Sequence, residues 1–377
     1  MTFFGSAKYS DSSERSPNTL AKLERLRKTF AHEEADRVPI SDFFWGSFTK
    51  RWREELGLPD DADPYRHYDL DFIVTVPNMD PHIRDFETVR ENDEEVVVTT
   101  GFETKIRKRF DLPMPEQISW ETDTIEKMEA FEFDDPWDQR RYFEAGDNQI
   151  AGVGDGFERN SPPWVETLRG LHPDFPVYGS VTEASEITTR LLGQLNTLTW
   201  IGEYPERFGE QLLRIGDFSY EVAKAQIEAA DGLLDGFVIW GDAAYKKGLF
   251  MGPRYWREYY KPTIARIIEL CHSHGLPVMF LGCGNANSYL EDMIEIGLDV
   301  VEQRERLGHR LTFSGNSDRR VWERGDPDEV RREVLHRLRS AYGGGYIFMS
   351  DHSVSSDVSG QTYDLIVKLV REFGQYP

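Results

Sequence analysis

Short apolar runs alternate with helical patterns along most of this chain. Each run is rich in β-branched or aromatic residues and has the length of a buried strand. Longer segments between the later runs place apolar residues at helical spacing. The eight runs are Val38–Phe44, Phe72–Val76, Val177–Val181, Phe237–Trp240, Val278–Leu281, Val300–Gln303, Leu311–Ser314 and Tyr346–Met349, and the clearest helices are Leu20–Phe30, Pro253–His274, Asn287–Ile296 and Asp326–Tyr342.

Alternation of strand and helix predicts an α/β protein whose strands pair in parallel. Eight such units favour a closed (β/α)8 TIM barrel, and an open doubly wound sheet is the alternative. No Gly-x-Gly-x-x-Gly motif follows an early strand, which argues against a dinucleotide site. We therefore expect a single barrel domain over residues 19–377, after a polar and flexible arm at residues 1–18.

One segment interrupts the alternation after the second run. Residues 94–110 alternate polar and apolar side chains and turn near Gly101, which predicts an inserted β-hairpin. The following residues, 111–170, are rich in proline and tryptophan. We expect them to form loops and helices that cover the mouth of the barrel.

Charge and composition exclude several classes of function. The chain has 44 Lys and Arg residues against 67 Asp and Glu residues, a net charge of −23, so a nucleic acid would be repelled. No run of 18 apolar residues is present, so no membrane span is predicted. Two cysteines without a secretory leader favour a reducing, cytoplasmic location.

Three polar residues stand at the ends of two predicted strands. Cys283 ends the fifth run, while Asp351 and His352 follow the eighth. In a parallel barrel the carboxyl ends of the strands share one rim, which carries the active site. Cys283 is a candidate metal ligand or nucleophile, with a structural cysteine as the alternative, and glycines on either side of it leave room for a close approach. Asp351 and His352 are candidates for acid–base catalysis.

Further candidates follow other runs. Acids near several strand ends suit acid–base chemistry or cation binding. Glu183 and Arg190 share a helical face with Glu186, where a surface ion pair is the alternative to substrate binding. The candidate catalytic acids are Asp71 and Asp242, and the other candidates are Phe44, Trp45, Asn78, Glu183, Arg190, Asn285, Glu302 and Asn316.

Several of these segments resemble the uroporphyrinogen decarboxylase superfamily, which includes the corrinoid-linked methyltransferases. The likeness is dense from about residue 230 onward and implies a (β/α)8 barrel and a homodimer. It is carried by Asp36-Arg-Val-Pro-Ile40, Leu70-Asp71-Phe-Ile-Val-Thr-Val-Pro77, Phe280-Leu-Gly-Cys283-Gly-Asn285, Glu295-Ile-Gly-Leu-Asp299, Phe313-Ser-Gly-Asn316-Ser-Asp318 and Gly344-Gly-Tyr-Ile-Phe348.

The chain departs from the decarboxylase pattern within this resemblance. Two arginines that bind substrate carboxylates in the decarboxylases fall on Phe44 and Phe48. Their tyrosine after the third strand falls on Arg190, and their serine after the fourth falls on Asp242. Losing two fixed cations argues against a polycarboxylate substrate, because each charge-assisted hydrogen bond contributes roughly 1.5–3 kcal/mol. Asp71 and His352 match the decarboxylase pattern.

The methyltransferase branch implies zinc held by His-x-Cys after the fifth strand and a cysteine after the eighth. Here Leu281 replaces the histidine, Cys283 remains, and His352 takes the place of the last cysteine. A catalytic zinc needs at least three protein ligands, so Glu302 or Asp242 would have to supply the third.

These features favour a corrinoid-linked methyltransferase acting on a small methoxy or methylamine substrate. In one scheme an acid protonates the leaving oxygen of a methyl ether, while cob(I)alamin on a separate carrier protein accepts the methyl group. Two alternatives stay open. One is a decarboxylase (a lyase) of a small or tetrapyrrole-like carboxylic acid, and the other is a non-catalytic corrinoid- or tetrapyrrole-binding protein.

Overall fold

The structure is a computed structural model that describes residues 14–112, 114–151, 158–301 and 311–376. Its strands, in chain order, are β1 (Ile73–Val74), β2 (Glu87–Glu91), β3 (Glu95–Thr99), β4 (Thr104–Arg109), β5 (Glu116–Trp120), β6 (Gly146–Asn148), β7 (Glu158–Ser161), β8 (Val177–Thr182), β9 (Gly236–Trp240), β10 (Ala244–Tyr245), β11 (Gly248–Leu249), β12 (Val278–Leu281), β13 (Val300–Val301), β14 (Thr312–Ser314) and β15 (Tyr346–Ile347).

Helices separate most of the parallel strands. They are α1 (Pro17–Phe30), α2 (Gly46–Leu56), α3 (Pro64–His67), α4 (Ile125–Glu129), α5 (Arg140–Phe143), α6 (Trp164–Leu171), α7 (Ala184–Glu203), α8 (Pro205–Ala230), α9 (Pro253–Tyr259), α10 (Lys261–Ser273), α11 (Leu290–Glu295), α12 (Arg319–Arg324), α13 (Pro327–Leu338) and α14 (Gly360–Phe373). In the parts of the chain that the structure covers, none of them has the length and apolar character needed to span a bilayer.

A seven-stranded parallel sheet forms the centre of the described structure, in the order β1-β8-β9-β12-β13-β14-β15. Both of its faces are covered, which is why its strands read as continuous apolar runs; all six residues of β8 are buried. The predicted α/β class and parallel pairing are therefore confirmed.

The two edges of this sheet lie near each other. Side chains from β1 to β15 pack in one small cluster, which includes Val74 of β1 and Ile347 of β15. The segment around Ile40 bridges the edges: its carbonyl accepts from the Asp71 N–H at 2.8 Å, and the neighbouring Pro39 carbonyl accepts from the Phe348 N–H at 2.8 Å.

The first predicted strand, Val38–Phe44, is not a regular strand. It is an extended segment with isolated parallel bridges from Ile40 to Phe348 and from Phe44 to Val354. The other predicted runs coincide with strands of the sheet, although β13 is described only to Val301. Local apolar character identified the segment, but the ladder it forms is too short for a strand.

Three helical predictions need adjustment. α1 begins at Pro17, inside the predicted arm, because the Ser16 side chain accepts a hydrogen bond from the Thr19 N–H. The rest of that arm, residues 1–13, lies outside the described residues. The predicted helix Pro253–His274 is two helices, α9 and α10, and Pro262 at the start of α10 cannot donate the bond that would continue α9. The predicted helix Asn287–Ile296 is a 3₁₀ turn followed by α11.

The inserted hairpin is confirmed and is part of a larger sheet. β3 and β4 pair antiparallel as predicted, and β2 and β5 extend them to four strands. Trp120 of β5 lies against Gly193 of α7, where any larger residue would collide with the indole ring. The Thr122 hydroxyl donates to the Leu191 carbonyl. These contacts hold the insert against the helix that follows β8.

Candidate functional site

A cavity of about 500 Å³ opens where the parallel strands end. Its wall includes Thr182 at the end of β8, Trp240 to Asp242 at the end of β9, Leu281 to Cys283 at the end of β12, and Met349 to Ser353 after β15. The insert closes one side with Ile106, Met114 and Gln117, and Gln149, directly after β6, lies there too. The predicted rim at the carboxyl ends of the strands is thus the site of the cavity.

Five of the predicted site residues line this cavity: Arg190, Asp242, Cys283, Asp351 and His352. Asn316 instead lines an adjoining hollow of about 420 Å³, which shares Gly282, Cys283, Asp351 and His352 with the cavity. The sequence therefore located both sides of the site, after β12 and after β15.

Short hydrogen bonds fix the polar groups of the rim. Asp242 accepts from the Cys283 N–H at 2.8 Å, which ties the end of β9 to the end of β12. Asp351 accepts from the Arg319 N–H at 3.0 Å. Trp45 does not line the cavity, but its indole N–H donates to the Ser353 hydroxyl at 2.7 Å and so holds the loop that carries His352.

The glycines beside Cys283 serve packing. A side chain on Gly282 would collide with the Gly241 carbonyl, and one on Gly284, at φ 93°, would collide with the backbone of Ala244. The room that they provide is thus occupied by neighbouring backbone. Gly282 also lines the cavity, so a close approach of a ligand beside Cys283 stays a prediction.

Asp71 was predicted to be catalytic, and the structure contradicts this. It precedes β1, is fully buried, and bonds Arg25 at 2.5 Å and Arg37 at 2.7 Å. Its second oxygen also accepts from the Ile40 N–H at 2.7 Å. A residue before a parallel strand lies at the end of the sheet opposite to the residues that follow it, so Asp71 is not in the cavity.

Four other candidates have local structural contacts and do not line the cavity. Phe44 packs against Phe48 and Tyr363. The Asn78 amide binds the Asp147 carbonyl at 3.0 Å. Glu183 caps α7 by accepting from the Ser185 N–H, and Asn285 accepts from the Asn287 N–H. Glu302 lies outside the described residues.

Sequence reasoning missed Asp42. It lines the cavity, yet its side chain is only 1% exposed. One oxygen accepts from the Ser350 hydroxyl at 2.7 Å and the Ser350 N–H at 3.2 Å, and the other accepts from the Tyr363 hydroxyl at 3.2 Å. Burial raises the pKa of Asp42 to about 7. An acid inside an otherwise apolar run was the available signal.

The cavity is acidic. Asp42, Glu186, Asp242 and Asp351 line it, and Arg190 is the one lysine or arginine among the described lining residues. Arg190 bonds Glu186 at 2.7 Å, as the surface-pair alternative predicted. The arginines of the adjoining hollow are paired too, Arg319 with Glu323 and Arg320 with Asp318.

The described residues do not form a complete zinc site. Among them, no three His, Cys, Asp or Glu side chains are grouped so that they could hold a metal ion. Cys283 and His352 share the cavity wall, but a catalytic zinc needs a third protein ligand. No catalytic step is therefore assigned to zinc.

Residues 163–373 match the model of the uroporphyrinogen decarboxylase (URO-D) family, which is more than half of the chain. This protein belongs to the URO-D family. The match begins just before α6 and contains the central strands from β8 to β15, so it covers most of the cavity wall.

Uroporphyrinogen decarboxylases are among its relatives. One from Thermus thermophilus is 30% identical over 160 residues, which are 40% of this chain and 44% of that protein. That of Shewanella halifaxensis is 23% identical over 358 residues, 90% of this chain and 88% of that protein. In the first of these matches the chain spans less than half of its relative's length.

A solved structure shares the fold. The methyltransferase from Methanosarcina mazei superposes with a TM-score of 0.60 and 15% sequence identity, covering 93% of this chain and 98% of that one. At this level of identity the likeness concerns the fold alone.

Proposed function

We propose that this URO-D family member is a corrinoid-linked methyltransferase that acts on a small methoxy or methylamine substrate. The methyl acceptor would be a reduced corrinoid on a separate carrier protein, and the enzyme would be a homodimer. We also propose that the sheet closes as a (β/α)8 barrel. The hydrogen bonds that the carbonyls of Ile40 and Pro39 accept from Asp71, just before β1, and Phe348, just after β15, support closure.

The lack of an unpaired lysine or arginine among the described residues of the cavity wall carries the proposal. Four carboxyl groups line it, and its one described lysine or arginine, Arg190, is already paired with Glu186. A polycarboxylate needs several cations, because each desolvated carboxylate that lacks a partner costs several kcal/mol. A neutral ether or a methylammonium ion meets no such penalty in an acidic cavity.

The apolar part of the wall fits the same class of substrate. Phe43 and Trp240 pack edge to face at 4.8 Å between ring centroids, and both line the cavity beside Met349. Such a surface binds a methoxy group or an aromatic ring through its apolar area. A methylammonium ion would be favoured there by cation–π attraction as well.

Decarboxylation of a small acid is the second candidate. Its support is the match to the URO-D family and its named relatives, together with Arg190, which could turn from Glu186 to a single carboxylate. One guanidinium can bind one carboxylate in a bidentate manner. Arg190 alone could not bind all the carboxylates of a polycarboxylate substrate.

The test is a direct assay of both chemistries on the purified full chain. We expect methylcobalamin to form from cob(I)alamin and at least one member of a panel of methoxy compounds and methylamines. Asp242→Asn should weaken this activity, whereas Asp217→Asn should not. Asp217 is an exposed acid on α8 that pairs with Arg266, so it controls for the loss of one charge.

Parallel incubations with uroporphyrinogen and smaller acids would follow release of carbon dioxide. Carbon dioxide release without methyl transfer would overturn the proposal in favour of a decarboxylase. Tight binding of cobalamin in a spectral titration, with no turnover in either assay, would favour a non-catalytic binding protein.

A further inference from the structure

We propose that Asp42 is the proton donor of this enzyme and that its substrate is an O-methyl compound. This inference rests on the proposed methyl transfer and narrows its substrate class. An alkoxide or phenoxide is a poor leaving group until it gains a proton. A methylammonium ion leaves as a neutral amine and needs none.

The position of Asp42 suits a donor. Its side chain lines the cavity, where a bound substrate could reach it, and the residue is almost fully buried. The Ser350 hydroxyl and the Tyr363 hydroxyl hold its two oxygens from opposite elements, the loop after β15 and helix α14. The carboxyl group is therefore fixed in orientation before a substrate binds.

The surroundings of Asp42 contain donors but no paired cation. Among the described residues, no ion pair involves its carboxyl group. The Tyr65 hydroxyl donates to its backbone carbonyl at 2.8 Å. Tyr363 packs against Phe44 and Trp322, which keeps the far side of the carboxyl group apolar. Asp351 is the nearby charge that opposes its ionisation, and His352 follows it on the same loop.

These groups act on the Asp42 proton in opposite directions. Loss of water is the largest cause and raises its pKa, and the charge of Asp351 raises it too. Hydrogen bonds from Ser350 and Tyr363 lower it, and the balance lies at a pKa of about 7. A general acid works best when its pKa lies near the operating pH.

The other acids that the structure describes lack this combination of features. Glu183 and Asp80 are buried with pKa values raised to about 7, but neither lines the cavity. Asp242 is only partly buried, and Glu186 is paired with Arg190. Among the described residues, Asp42 alone is both nearly fully buried and at the cavity wall with a carboxyl group.

In the proposed step, the methyl carbon bonds to the nucleophilic metal of the reduced corrinoid, which supplies the electron pair and is formally oxidised by two electrons. The carbon–oxygen bond breaks, and its electron pair remains on oxygen. Asp42 gives its proton to that oxygen, so an alcohol or phenol leaves. The donors from Ser350 and Tyr363 then stabilise the Asp42 carboxylate until it regains a proton from solvent.

Asp42→Asn tests the donor, with Asp217→Asn as the control for charge. We measure methylcobalamin formation from a series of ring-substituted anisoles whose phenols differ in acidity. Asp42→Asn should lower kcat on anisole by about 10²- to 10⁴-fold, the usual contribution of a general acid. The deficit should shrink as the leaving phenol becomes more acidic, because a better leaving group needs less protonation. A merely structural role would not produce this trend.

Several outcomes would overturn the inference. A uniform loss across the anisole series, or activity equal to that of Asp217→Asn, would show that Asp42 donates no proton while methyl transfer stands. A wild-type enzyme that uses methylamines and not ethers would overturn the substrate class.

Absence of all methyl transfer would instead refute the proposed function, and with it the O-methyl substrate. Whether Asp42 can act as a proton donor would then be tested by ¹³C NMR titration of the aspartate carboxyl groups. The signal that disappears in Asp42→Asn identifies the carboxyl group of Asp42. A pKa near neutrality supports Asp42 as a proton donor in the cavity. A pKa near the ordinary value of 3.8 overturns it.

Discussion

Asp71 and Asp42 are both buried aspartates, and they lie at opposite ends of the same parallel sheet. Asp71 precedes β1 and bonds two guanidinium groups, those of Arg25 and Arg37. Asp42 lies where the strands end and accepts only neutral donors, from Ser350 and Tyr363. Exposure does not distinguish them, since their side chains are 0% and 1% exposed.

Their partners give the two acids different roles. Arg25 and Arg37 compensate the charge of Asp71. Its hydrogen bonds therefore connect helix α1, the extended segment 37–40 and the start of β1. Among the described residues no cation pairs with Asp42, and burial raises its pKa to about 7, as a group that exchanges a proton near neutral pH requires. In parallel barrels this division is general, with stability at the ends where strands begin and chemistry where they end.

The largest effect is expected from Asp71→Asn. The substitution leaves the buried guanidinium group of Arg37 without its carboxylate and that of Arg25 with the exposed Asp36, and breaking a buried ion pair in this way costs about 3–5 kcal/mol. Urea denaturation should show the free energy of unfolding reduced by that amount.

Asp36→Asn is the matched control. Asp36 bonds the same Arg25 at 2.6 Å, but its side chain is 63% exposed, so its loss should cost no more than about 1 kcal/mol. Equal losses in the two variants would mean that Asp71 is not distinguished by its burial.

The next effect is expected in the pH dependence of stability. The pKa of Asp42 rises from 3.8 to about 7 on folding, so between these values the folded protein holds a proton that the unfolded chain has released. Stability therefore falls as pH rises, by about 1.4 kcal/mol per pH unit for each such group.

Asp42→Asn should remove that part of the slope between the two pKa values of Asp42, 3.8 and about 7. Asp80 and Glu183, whose pKa values are also raised to about 7, remain in the variant and leave a residual slope. Unfolding free energies of the wild type and the variant are measured across this range, and the difference between them should change steadily with pH. A constant difference would contradict a raised pKa for Asp42.

The contrast between the two acids also shows which features of the fold and the site can be predicted from the sequence. Buried parallel strands are continuous apolar runs, so the strands of the sheet were visible locally. Residues directly after those runs, such as Asp242, Cys283 and His352, were correctly predicted to face one cavity, because parallel strands share an end. The misplacement of Asp71 was avoidable, since a residue that precedes its strand lies at the opposite end.

The rest of the site depends on contacts between distant parts of the chain. Asp42 meets Ser350 and Tyr363 across 308 and 321 residues, and no local pattern indicates either contact. Gln117 reaches the cavity because the insert folds over it, and its amide donates to the Arg190 carbonyl at 3.2 Å. Such contributions follow from tertiary packing and not from periodicity.

Tyr363→Phe should sharpen the contrast by altering Asp42 alone. The Tyr363 hydroxyl stabilises the ionised carboxylate, so its removal should raise the pKa of Asp42 further, by about one unit, the equivalent of about 1.4 kcal/mol. The ¹³C titration of the carboxyl group measures this. Tyr65→Phe is the control, because that hydroxyl donates to the backbone carbonyl of Asp42. An unchanged pKa in Tyr363→Phe would show that the 3.2 Å contact has no energetic weight.

The smallest effect on stability is expected from Arg190→Gln, which tests a third kind of charge. Arg190 lies at the cavity like Asp42 but is paired like Asp71, and its partner Glu186 is one helical turn away and partly exposed. Pairs of this kind contribute about 0.3–0.5 kcal/mol, so the free energy of unfolding should change by no more than that. If the free energy of unfolding fell by several kcal/mol, Arg190 would stabilise the fold as Arg25 and Arg37 do. A different outcome would assign Arg190 to ligand binding: unchanged stability, a raised KM for a carboxylated methoxy substrate and an unchanged KM for a neutral one. Arg190 would then bind the substrate carboxylate, which would displace Glu186 from the ion pair.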